Sequence, residues 1–313
     1  MIGLLLLAVS AVLLIVGAEL FVENAAGAAT RLGVTVIAVG VLLAGAEPEE
    51  LLTAVIAAGR GRPELAAGDA IGANVTMLTA CLGLAAVVRP LHLSRRVRQY
   101  AGLSTVAGVI ALVALAGGHL GRIEGLVLVA GYVLLVGLVW WREREPPRLG
   151  ELAELGGHED GGEAGSARSP AVSMLLVLAG LAVMLVGGDV AVEGAVRVVD
   201  ALGRSDSAVG LTALALATTA ELFALVLTAM RHELPELAVA GVVGSAAYNA
   251  TATLGAAALT RPLDVPAGLA WTAAVAAALP LVVLALAWRG RLGRPAGALL
   301  LAGYAGYVVL VLR

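Results

Sequence analysis

Apolar runs of about twenty residues recur along almost the whole of this chain, separated by short polar breaks. A run of that length crosses roughly 30 Å of hydrocarbon as an α-helix. A backbone in hydrocarbon must satisfy its own polar groups, which leaves only helices or a closed barrel. The runs are continuous in Ala, Leu and Gly rather than alternating, so the barrel is disfavoured. Composition agrees: 60% of the 313 residues are hydrophobic, 14% are charged, and the mean hydropathy is +0.97. The 40 glycines suit close helix packing in a membrane. The single cysteine, Cys81, excludes an internal disulfide and any cysteine metal cluster, and it reads as a packing residue. A net charge of −3 without a basic tract gives no sign of a nucleic-acid partner. The apolar run after Met1 reads as a retained helix rather than a cleaved signal.

The expected fold is all-α and integral to the membrane, with ten transmembrane helices near 2–28, 33–59, 64–88, 98–117, 122–141, 171–199, 206–230, 235–259, 266–288 and 295–312. Residues 142–170, with Pro146, Pro147 and a polar Gly/Glu-rich run, form the expected linker between halves 1–141 and 171–313. All 20 basic residues are arginine. With both termini outside and the linker in the cytoplasm, 13 arginines fall inside and 7 outside, which the positive-inside rule favours.

The two halves resemble each other. Val16-Gly17-Ala18-Glu19-Leu20-Phe21-Val22-Glu23 matches Val186-Gly187-Gly188-Asp189-Val190-Ala191-Val192-Glu193 at an offset of 170. Leu82-Gly83 and Arg89-Pro90-Leu91 match Leu254-Gly255 and Arg261-Pro262-Leu263 at an offset of 172. Five helices per half make the second half enter from the opposite face, so the repeats are inverted. Inverted repeats are an architecture of secondary transporters, which bind cargo at the midplane between them.

Acids lie deep in the second helix of each half, in Gly45-Ala46-Glu47-Pro48-Glu49-Glu50-Leu51 and Ala217-Thr218-Thr219-Ala220-Glu221-Leu222. A charge at mid-membrane costs at least about 2.5–3.5 kcal/mol on insertion scales. These acids therefore call for cations, protons, water or an arginine at a helix end. Pro48 interrupts its helix and frees carbonyls that can line an ion path. The third helix of each half adds Gly68-Asp69-Ala70-Ile71-Gly72-Ala73-Asn74 and Gly244-Ser245-Ala246-Ala247-Tyr248-Asn249. Carboxylate, amide, hydroxyl and carbonyl oxygens are ligands for a hard cation such as Ca²⁺, Na⁺ or Mg²⁺, and the segments offer no thiolate or imidazole for a softer metal. Ordinary interhelical hydrogen bonding is the other reading of Asn74 and Ser245. Glu19, Glu23, Asp189 and Glu193 lie toward helix ends, where interfacial, structural or funnel roles suit them better than coordination. The four histidines, His92, His119, His158 and His232, share no metal-site spacing.

With these residues in view, the chain resembles the cation/calcium exchanger superfamily, the sodium/calcium exchangers and their prokaryotic relatives. Its members carry two inverted repeats, each with an acidic G-T-S-x-P-E-L type motif followed by a G-N-x-x-G-S-N-x-x-N type motif. The resemblance puts the motif glutamates on Glu50 and Glu221, with Glu49 as the competing register in the first repeat. Glu50 and Glu221 are then expected to meet near mid-membrane. It puts Thr218, Ser245 and Asn249 among the neutral ligands, with Glu47, Asp69 and Asn74 beside them. The chain departs from the pattern at Ala46, Glu47, Ala73, Met77 and Ala246. The implied activity is antiport of Ca²⁺, or a similar hard cation, against Na⁺ or H⁺, in a plasma membrane of prokaryotic type, with no resident cofactor and no enzymatic step. A monovalent cation/proton antiporter and a non-transporting membrane binding or scaffold protein are the alternatives. Oligomeric state is open.

Overall fold

A computed structural model describes residues 1–31, 47–143, 170–231, 235–264, 266–286 and 290–313. The expected linker lies almost wholly outside the described residues, as do residues 33–46 of the expected second helix. So do His158 and His232.

The described chain is helical almost throughout. Its helices are α1 (Ile2–Arg31), α2 (Pro48–Gly59), α3 (Pro63–Val88), α4 (Arg95–Leu115), α5 (Arg122–Glu143), α6 (Pro170–Leu202), α7 (Asp206–Thr218), α8 (Ala220–Arg231), α9 (235–260), α10 (Ala267–Leu286) and α11 (Arg294–Val311). Seven of them, α1, α3, α4, α5, α6, α10 and α11, are long and apolar enough to cross a membrane. Outward-facing Leu4, Val113, Leu134, Trp141, Leu175, Trp271 and Leu310 are the lipid-facing side of that pattern.

Three features differ from a plain stack of helices. The expected 206–230 helix is broken at Thr219 (φ −79°, ψ 4°), so α8 starts afresh at Ala220. Single π-helical turns occupy Met77–Cys81 in α3, Gly210–Leu214 in α7 and Asn249–Thr253 in α9. Such turns re-aim side chains and recur at functional positions. Four two-residue strands also form in the connections, β1 (Leu91–His92), β2 (His119–Leu120), β3 (Leu263–Asp264) and β4 (Arg291–Leu292). They pair antiparallel as β1·β4 and β2·β3, with Leu91 opposite Leu292 and Leu120 opposite Leu263. These pairings tie loop backbone that lipid could not satisfy.

Element boundaries recur at one offset. Adding 172 carries Pro48–Gly59 onto Ala220–Arg231, Pro63–Thr76 onto Pro235–Tyr248, Met77–Cys81 onto Asn249–Thr253, and Leu82–Val88 onto Leu254–Thr260. Contacts recur with them. A Cβ on Gly83 would lie 3.0 Å from the Gly297 carbonyl oxygen, and one on Gly255 would lie 2.6 Å from that of Gly125. Gly255 and Gly297 stand 172 residues beyond Gly83 and Gly125. Helices α1 and α6 pack against each other in opposite directions. Gly3 meets Gly194 and Gly17 meets Gly180, each through spacing too short for a larger residue.

α3 is the most enclosed of the membrane-length helices. A Cβ on Gly72 would come within 2.5 Å of the Leu211 carbonyl oxygen in the π-turn of α7. Backbone cannot yield there as a flexible side chain would. Gly72→Ala is therefore expected to destabilise the fold by about 1–3 kcal/mol, the usual effect of overpacking. The measurement is the thermal midpoint of the detergent-solubilised protein; an unchanged midpoint would show that α3 and α7 are not in close contact.

Ion pairs tie several of the helices and connections together. Arg60 pairs with Asp189 and reaches Glu193 at 3.7 Å, and Arg197 holds Glu193 at 2.8 Å. Arg62 meets Asp206 at 3.1 Å, and His119 meets Asp264 at 3.0 Å. Asp189 and Glu193 thus serve in structural ion pairs. Their side chains are about half exposed, where such pairs are worth roughly 0–1 kcal/mol each.

Candidate cation site

The acids of the first half sit at the start of α2. Glu47 precedes the helix in a non-helical conformation, Pro48 occupies its first position, and Glu49 and Glu50 lie in the first turn. Proline suits that position because its missing N–H would have no intrahelical partner there. Glu221 lies in the first turn of α8, just beyond the break at Thr219. Both helix starts therefore place an N-terminus, with its partial positive charge, beside buried carboxylates. Glu47, Glu49, Glu50 and Asp69 are each 1% exposed and Glu221 is 7% exposed.

Neutral side chains of the second half orient acids of the first. Ser245 donates its hydroxyl to Glu47 Oε1, and Asn249 donates its amide to Glu50 Oε2. Thr218 donates to Asp69 Oδ1 at 3.1 Å. Asn74 donates its amide to the carbonyl of Ala246 at 2.9 Å, and Ala246 stands 172 residues beyond Asn74. Glu49 shares a side-chain hydrogen bond with Glu47 and faces Glu221 closely enough for their charges to interact. Glu50 is in the same relation to Glu47 and Asp69. All nine residues singled out in the sequence are thus buried at the junction of α2, α3, α7, α8 and α9.

The roles differ from expectation in two respects. The offset of 172 makes Glu49, not Glu50, the counterpart of Glu221; Glu50 matches Leu222. That spacing favours the competing register, with Glu49 near enough to Glu221 for their charges to interact. Secondly, Asn249 was expected to present an oxygen, yet its Oδ1 accepts from Thr253 at 2.9 Å while its amide holds Glu50. In this arrangement it positions a carboxylate. Thr253 escaped the sequence reading. Its spacing of four from Asn249 was the available signal, and the π-turn containing both was not visible in the residues.

What remains are oxygens that meet no protein donor. Glu49 Oε2, Glu50 Oε1, Asp69 Oδ2 and Asn74 Oδ1 are fully buried and accept no hydrogen bond among the described residues. Buried polar atoms are nearly always satisfied, and a buried carboxylate without compensation is strongly unfavourable. Among the described residues no three acidic, histidine or cysteine side chains close around a common point as a ready metal cage. Glu47, Glu50 and Asp69 are each steadied by a neutral partner instead.

The description of the sodium/calcium exchanger protein family matches residues 2–141 and 172–313. The chain belongs to that family. A relative from Alkalimonas amylolytica, named as the antiporter CaxA, is 30% identical over 97% of this chain and 96% of its own length. The inner membrane protein YrbG of Escherichia coli (strain K12) is 28% identical over 99% of this chain and 94% of that protein. Solved structures share the fold. The crystal structure of the H⁺/Ca²⁺ exchanger CAX matches with a TM-score of 0.76 at 16% identity, covering 98% of this chain and 82% of that one. The sodium–calcium exchanger NCX_Mj matches with a TM-score of 0.65 at 23% identity, covering 99% of both. In this exchanger-family member, acids lie in the first turn of both α2 and α8.

Proposed function

We propose that this chain is a secondary antiporter that exchanges Ca²⁺, or a similar hard divalent cation, for Na⁺ or H⁺ by alternating access. The observation that carries the reading is the set of buried oxygens without protein donors, on Glu49, Glu50, Asp69 and Asn74. Carboxylate and amide oxygens are what a hard cation takes. Glu49 and Glu221 neutralise the cargo at the meeting point of the halves; Glu50, Asp69 and Asn74 add oxygens. Glu47, Ser245, Thr218 and Asn249 hold those carboxylates in place. Cargo and counter-ion compete for the same acids, and that competition couples their fluxes.

The architecture in this proposal is ten transmembrane helices in two inverted five-helix repeats, 1–141 and 171–313, joined by the 142–170 linker. The recurrence of boundaries and contacts at an offset of 172 supports it, as does the reciprocal pairing β1·β4 and β2·β3. Both termini lie outside and the linker in the cytoplasm. Arg60 and Arg197, both assigned to the outside, meet at Glu193, and Arg261, also assigned there, lies against Gly61, next to Arg60. The membrane is a prokaryotic plasma membrane, and the partners are small inorganic cations and lipid.

The test is Ca²⁺ uptake into proteoliposomes, driven in turn by an outward Na⁺ gradient and by an imposed pH gradient, with voltage clamped by an ionophore. At least one gradient is expected to drive uptake well above that of protein-free vesicles. Uptake equal to the protein-free control under both gradients would overturn the proposal. Monovalent exchange without Ca²⁺ movement would favour a cation/proton antiporter, to which the apolar Met77 and Ala73 in the first half already lean.

A further inference from the structure

The side-chain contacts of the junction carboxylates with neutral donors are one-sided. Glu50 with Asn249, Glu47 with Ser245, and Asp69 with Thr218 each take the acid from the first half and the donor from the second. An offset of 172 gives the counterparts of the first two contacts. Leu222 and Met77 correspond to Glu50 and Asn249; Thr219 and Ala73 correspond to Glu47 and Ser245. The counterpart of Asp69 is Gly241. Leu222, Met77 and Ala73 are all buried. Thr219, the one hydroxyl among them, donates to its own helix at the Ala215 carbonyl, 2.7 Å away. The three acids therefore correspond to a leucine, an occupied hydroxyl and a glycine, and the donors Asn249 and Ser245 to a methionine and an alanine. Of the five junction acids, only Glu49 and Glu221 stand at corresponding positions.

Resting on the function proposed above, we infer that the cation positions are one-sided: a central position between Glu49 and Glu221, one flanking position at Glu50 and Asp69, and none at its counterpart by Leu222 and Met77. The orphaned oxygens follow the same division, since Glu50 Oε1 and Asp69 Oδ2 lie on the flank and Glu49 Oε2 at the centre. A leucine and a thioether in the opposite flank offer a hard cation nothing. The carrier then has room for one divalent cation or for two monovalent ones. Its two half-cycles move equal charge, and exchange is electroneutral. Charge moved through the membrane responds to voltage in proportion to the net charge transferred, so this property is directly measurable.

The measurement is Ca²⁺ flux into proteoliposomes under the monovalent gradient that drives it, at two clamped membrane voltages, with current recorded in parallel on a supported membrane. Ca²⁺ uptake independent of voltage is expected, with no steady current. The final Ca²⁺ ratio should follow the second power of the monovalent ratio. Voltage-dependent uptake with a current, and a third-power ratio, would overturn the inference while leaving antiport intact. Absence of any Ca²⁺ flux would overturn both. A double substitution, Leu222→Glu with Met77→Asn, rebuilds the missing flank and is expected to raise the power from second to third and to introduce a current. A double variant that transports with unchanged coupling would also overturn the inference, and the wild-type measurement decides the matter if that variant does not fold.

Discussion

Glu221→Gln is expected to lower Ca²⁺ uptake by at least about 100-fold, and Glu49→Gln to do the same. Glutamine keeps the shape and one oxygen but removes a full charge from a contact screened from water. Removing one partner of a buried charged contact costs about 3–5 kcal/mol, and each 1.4 kcal/mol is tenfold. The fold should survive, because neutralising a carboxylate buried in an apolar bundle relieves a desolvation penalty. A single symmetric peak on size exclusion, alongside lost uptake, is the expected pair of readouts. Glu50→Gln should be the milder change, since Glu50 belongs to the flank and matches Leu222 in the other half. Should Glu50→Gln silence transport while Glu49→Gln remains active, the correspondence at an offset of 172 would not describe the site.

That correspondence shows where the sequence could be read and where it could not. The membrane helices were legible because lipid demands apolar runs of a given length, and α4, α5, α10 and α11 fall within a few residues of their expected spans. The acids were legible too, since charge in hydrocarbon is conspicuous. The register between Glu49 and Glu50 was not. The offset is 170 at Gly17 and 172 at Gly83, and a two-residue drift leaves either glutamate a possible mate of Glu221. Helix starts favour Glu49: Pro48 and Ala220 each occupy the first helical position, one residue before the acid. The π-turns at Met77–Cys81 and Asn249–Thr253 left no periodic mark, because one extra residue in a uniformly apolar helix does not alter the pattern. Nor can a sequence say whether an amide donates or accepts.

Asn249→Leu is expected to raise the half-saturating Ca²⁺ concentration by about 10–100-fold with a smaller change in maximal rate, the usual penalty for removing a group that orients a metal ligand. Leucine is close in volume, so packing around the π-turn of α9 is largely kept. What disappears is the donor to Glu50 Oε2, which leaves that carboxylate free to rotate and both of its oxygens without a protein partner. Asn249 is itself oriented: the Thr253 hydroxyl donates to its Oδ1 at 2.9 Å, which turns the amide toward Glu50. Thr253→Val removes that orienting bond at nearly constant shape and should shift affinity in the same direction by less, since the amide can still find Glu50. In a Glu50→Gln background the shift from Asn249→Leu should largely vanish, because the carboxylate it positions is gone. Asn249→Leu effects that remain undiminished in that background would mean the amide acts on the cation directly, as the sequence alone had suggested, and the chain from Thr253 through Asn249 to Glu50 would have to be abandoned.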